Sequence, residues 1–147
     1  MVPSLSGLTE VRLLSQAWGL HIPFITSFIN NMRKIEREMI QAIIDQRSWS
    51  KANTRVDYDK DSGLSQVFLH GHNIAEYGHK DMGLNVNNCG YATNTTKSRL
   101  NSLINFVLDG TKNGIFQKNW EWFVTNNGVT ESFPSGYWYC FDVVWLV

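Results

Sequence analysis

Thr54 to Val86, TRVDYDKDSGLSQVFLHGHNIAEYGHKDMGLNV, is the stretch whose reading decides the fold. Thr54, Val56 and Tyr58 alternate with Arg55 and Asp57, the period-two pattern of a half-buried strand. Lys60-Asp61-Ser62-Gly63 supplies turn chemistry, a second strand follows at Leu64 to His70, and His70-Gly71-His72-Asn73 turns the chain again. Ile74 to Tyr77 makes a third strand, and Gly78 to Gly83 leads into a fourth at Leu84 to Val86. Short strands joined by tight turns pair antiparallel, so the region is predicted to be a β-meander.

Helical periods flank it. Phe28, Met32, Ile35, Met39 and Ile43 recur at steps of three and four and predict a helix from about Ser27 to Gln46, with Arg33, Lys34, Glu36, Arg37 and Glu38 on a solvated face. Ser48 to Asn53 reads as a polar connection. Downstream, Thr93-Asn94-Thr95-Thr96 offers capping oxygens, and Leu100, Leu103, Ile104, Val107 and Leu108 form the core stripe of a second helix beginning near Thr95. Asp109-Gly110 is expected to end it, through a left-handed glycine.

The carboxy-terminal third reads as strands. Ile115 to Val124 is aromatic-rich, Asn126-Asn127-Gly128 is a hairpin turn, and Val129 to Phe133 returns antiparallel. After Pro134-Ser135-Gly136, the stretch from Tyr137 to Val147 is apolar on both faces, so it must be covered or paired, a homodimer being one way to do so. The prediction is an α+β fold: an N-terminal helix, an antiparallel meander, an amphipathic helix, and C-terminal strands packed with the meander as one sheet, helices on one face. Residues 1–26 read as an extension and 27–147 as a single domain; Met32 as the natural start would explain the extension, a short packing turn at Val11 to Leu14 being the rival account.

Composition bounds the function. The 147 residues carry thirteen basic and thirteen acidic side chains, so no global field draws the protein to nucleic acid or to an anionic membrane. A hydrophobic fraction of 43% with 18% charged residues suits a packed core and not a disordered chain. Cys89 and Cys140 lie far apart without a CxxC partner and read as reduced thiols of a cytoplasmic protein. Leu13 to Ile29 is apolar but interrupted by Gln16, His21 and Pro23, so neither a membrane span nor a signal peptide is expected.

The chemistry-bearing residues are sparse. His70, His72 and His79, with Glu76, Asp81 or Cys89, lack any zinc-ligand spacing and read as turn or surface residues. Cys89 has no nucleophile signature around it, no catalytic motif is present, and neither a metal nor a cofactor is expected. The segment from Gly90 to Arg99 gathers hydroxyls and two cations where a helix presents free N–H groups, so Thr95, Thr96, Lys97, Arg99 and Asn101 are the candidate phosphate or nucleic-acid contacts, with plain capping as the alternative. The order α-β-β-β-α is also that of double-stranded-RNA-binding domains, an analogy at the level of fold. Trp120, Trp122 and Trp138, with Phe123, Tyr139 and Trp145, are either sheet packing or a binding platform.

The wording of the chain is also familiar: Val67-Phe68-Leu69-His70-Gly71, Asn73-Ile74-Ala75, then Cys89-Gly90-Tyr91-Ala92-Thr93 running into Thr95-Thr96-Lys97-Ser98-Arg99-Leu100-Asn101, and later Phe116-Gln117-Lys118 with Trp120 to Val124. It resembles a family of small phage proteins with a Gly-(Trp/Tyr)-x-Thr-x-Thr-Thr-Lys-x-Arg-(Leu/Met)-Asn core, over about Trp49 to Tyr139. The resemblance implies a viral accessory protein of the host cell cytoplasm and brings no activity with it. The leading expectation is a non-enzymatic protein that engages nucleic acid through the helix start and the adjacent sheet; the alternative is an inhibitor or adaptor that grips a host protein with the aromatic hairpin, and an enzyme ranks third because no catalytic constellation nominates one.

Overall fold

Met39, Ile40 and Ile43 are almost fully buried along one side of α1 (Lys34–Ile44), the part of the first predicted helix that the structure contains. The computed structural model describes residues 32–141; the expected extension, the start of the predicted helix at Ser27 and the end of the closing strand lie outside them. Helix α1 ends where Gln46 turns left-handed at φ 53°.

The meander forms as read. Strands β1 (Trp49–Lys51), β2 (Thr54–Asp59), β3 (Leu64–Leu69), β4 (His72–Gly78) and β5 (Leu84–Val86) pair antiparallel in sequence order, and β9 (Tyr139–Phe141) joins at the β5 edge. Strand β1 lies in the predicted polar connection; with only Trp49 partly covered, its three residues carry no readable alternation. The register lines Val56, Val67, Ala75 and Val86 across one face, all buried. The opposite face is polar, with Gln66 and Asn73 donating to Glu76 and the Arg55 guanidinium lying 4.1 Å from the Phe68 ring centre.

Helix α2 (Asn94–Val107) begins as its threonines predict: Thr93 is the N-cap, and its hydroxyl accepts the Thr96 amide at 3.1 Å. Leu100, Leu103 and Ile104 are buried, each contributing roughly 1.5–3 kcal/mol. The expected glycine cap is not used. Leu108 goes extended at φ −125° and ψ 175° and stops the helix before Gly110 is reached.

The predicted single sheet is corrected to two. Strands β6 (Gly114–Lys118), β7 (Glu121–Asn126) and β8 (Val129–Ser132) form a separate three-stranded antiparallel sheet, and only β9 returns to the first one. Ile115 to Val124, read as one strand, is folded into a hairpin at Asn119-Trp120, because both residues take left-handed φ of 52° and 66°. The fold class stands: an α+β protein with antiparallel sheets. Ile115, Trp122, Val124 and Phe133 of the small sheet share one core with both helices and the inner face of the large sheet.

Candidate functional site

At the start of α2 the five predicted contact residues are divided between surface and interior. Arg99 is only 4% exposed; its Nη1 donates to Glu36 Oε2 at 2.7 Å and its Nε to Thr54 Oγ1 at 3.1 Å. Ser98 donates to the same Glu36 oxygen at 2.6 Å. Arg99 is thus a helix-to-helix cross-link and does not present its charge to a ligand, and Glu36, predicted on a solvated face, is buried with it. Thr96 is buried with its hydroxyl against Thr93.

Asn101 is equally committed. Its Oδ1 accepts the Ile115 amide at 2.8 Å and its Nδ2 donates to the Ile115 carbonyl at 2.9 Å. A side-chain amide here takes the place of a neighbouring strand and closes the outer edge of β6 at that point. Of the predicted set, Thr95, Lys97 and Asn101 are partly exposed, Asn101 with both ends of its amide committed to Ile115.

A shallow recess of about 170 Å³ lies beside this helix end, lined in part by His70, His72, Tyr91, Thr93 and Thr95. Tyr91 is half exposed and packs its ring on His72, centroids 4.5 Å apart. His79 lies elsewhere: its Nε2 is 2.7 Å from Ser65 Oγ, its ring meets Tyr58 and Tyr77 edge-on, and burial holds its pKa below the ordinary value. The three histidines therefore do not share a site. Cys89 donates its thiol to the Asn73 carbonyl at 3.1 Å, and burial raises its pKa, away from the thiolate a nucleophile needs.

The tryptophans also separate. Trp122 is 6% exposed and packs near Phe133, so it belongs to the core and not to a platform. Trp138, in the segment before β9, is 44% exposed. Trp120 is 92% exposed at the tip of the β6–β7 hairpin. The register sets Phe116 opposite Phe123 on the outer face of the small sheet, rings stacked 5.4 Å apart, with Lys118 opposite Glu121 next to them. Phe116 and its pairing with Phe123 were not singled out from the sequence; the alternation that aligns them appears only once the chain is known to turn at Asn119-Trp120.

Among the described residues, no helix is long and apolar enough to cross a membrane. No curated protein and no solved structure matches the chain. A family model does match, over residues 32–140, which takes in the two described helices and, but for Phe141, both sheets. By that match the chain belongs to the Kyanoviridae Gp96 protein family, a family of phage proteins.

Proposed function

We infer that this phage protein is an accessory factor that binds a host protein through the outer face of its small sheet, with Trp120 as the anchor. The observation that carries the reading is the placement of Trp120. Among the described residues, three two-residue hairpin loops have left-handed φ at both positions: His70-Gly71, Asn127-Gly128 and Asn119-Trp120. Two of them use glycine second, as the geometry favours. The third holds a tryptophan there, at a backbone cost of about 1 kcal/mol, and leaves it in water. A side chain that helps neither its turn nor the core is what a binding anchor looks like before its partner arrives. Phe116 and Phe123 add an apolar pair further along the same hairpin, with Lys118 and Glu121 between them and the tip.

The test is capture from nuclease-treated host lysate by immobilised full-length protein, with Trp120→Ala in parallel and circular dichroism to check its fold. A stoichiometric protein partner, lost with Trp120→Ala, is expected. The same proteins captured by both forms would overturn the reading.

A nucleic-acid reading keeps one supporting observation: Thr95 lines the recess that Tyr91 and His72 border, and the partly exposed Lys97 follows two residues later on the same helix. With Arg99 committed to Glu36, one cation of the cluster is left, so binding through this end should lose affinity with salt at a log–log slope near −1. A slope near −1 that falls toward zero with Lys97→Ala would favour this reading over the protein partner.

A further inference from the structure

We propose that the open edge of β8 receives an extended segment of the partner as a fourth strand, one carrying a basic residue opposite Glu131 and an apolar residue next to Ser132. The proposal rests on the protein-binding reading above and names the chemistry of the partner. Strand β8 is the last of its sheet and all four of its residues are exposed. The Phe133 amide donates to the Trp122 carbonyl, so hydrogen-bonded pairs alternate along β7 and β8 as 122 with 133, 124 with 131 and 126 with 129. Thr130 and Ser132 consequently aim their N–H and C=O groups away from β7, at an edge that no described strand covers. The opposite edge is treated differently, since Asn101 occupies the outward groups of Ile115.

The residues of β8 select the occupant. A second copy pairing Thr130 with Ser132 would set Glu131 directly opposite its own duplicate, and like charges in that position repel. A different chain with lysine or arginine there would be attracted. On the outer face the row Phe116, Phe123, Ser132 ends in a small side chain, which leaves room for an apolar residue of the added strand to lean toward the Phe123 ring.

The experiment is fluorescence anisotropy of full-length protein with a labelled heptapeptide alternating lysine and valine, and with its glutamate-for-lysine counterpart. The lysine peptide should bind and the glutamate peptide should not. Thr130→Pro removes one outward N–H, leaves the backbone ladder to β7 intact at the cost of the exposed Thr125–Thr130 hydroxyl contact, and should weaken binding about tenfold. Glu131→Lys, an exposed change that leaves the fold alone, should reverse the preference. Equal binding of both peptides, or an unchanged preference in Glu131→Lys, would overturn the proposal; so would a concentration-dependent dimer abolished by Thr130→Pro, which would make the occupant a second copy. Host capture that depends on Trp120 but not on Thr130 would sink the edge and leave the surface standing. Capture indifferent to both would sink the surface as well.

Discussion

Arg99 and Glu36, 63 residues apart in the chain, meet at 2.7 Å with their side chains 5% and 4% exposed, and tie α2 to α1. Thr54 on β2 accepts from the same guanidinium and Ser98 donates to the same carboxylate, so the pair is held on both sides. Arg99→Met leaves the Glu36 carboxylate buried without its counter-charge and should cost about 3–5 kcal/mol in urea unfolding. Glu36→Leu with Arg99→Met should recover much of that loss. A double variant as unstable as the sum of the two singles would show that the two side chains are not coupled.

Asn101 makes a second long-range tie, from α2 to β6. Asn101→Ala strips the Ile115 amide and carbonyl of their partners and should destabilise the protein by about 2–3 kcal/mol. Amide hydrogen exchange is the direct readout. The Ile115 amide should lose protection while that of Val67, in the large sheet, keeps more of it.

Trp120→Gly separates function from stability. Glycine takes the left-handed position without the Cβ penalty, so the variant should be more stable by roughly 1 kcal/mol, a rise of a few degrees in Tm. The same change should abolish host-protein capture. A variant less stable than the parent would mean that Trp120 supports the hairpin itself.

His79 makes stability depend on pH. Its folded-state pKa lies below the ordinary 6.5 because burial penalises the imidazolium. The unfolded chain then binds more protons in the window between the folded value and 6.5, so the contribution is complete above 6.5 and is lost as pH falls through that window. Asp81 and Lys80 are the nearest charged residues in sequence, and Tyr77, pushed up to about 12 by burial and by Asp81, stays neutral throughout. Urea unfolding at several pH values should show wild type losing stability on acidification more steeply than His79→Gln. Parallel curves would assign the dependence to other groups.

The meander, the Thr93 cap, the stripe of Leu100, Leu103 and Ile104 and the Asn127-Gly128 turn could all be read from the sequence, because each depends on residues a few positions apart. The likeness to a phage protein family was legible too, but not that the side chains of Arg99 and Asn101 are spent on Glu36 and on the Ile115 backbone. Nothing near Arg99 in the chain announces Glu36, and nothing near Asn101 announces the Ile115 backbone. The Asn119-Trp120 turn lacks the glycine that would have marked it, so the hairpin, the second sheet and the exposure of Trp120 were hidden together. Periods and turn chemistry are local properties of a polypeptide. Which polar group is buried, which edge stays open and which aromatic faces water follow from contacts across the whole chain, and those the tertiary structure alone decided.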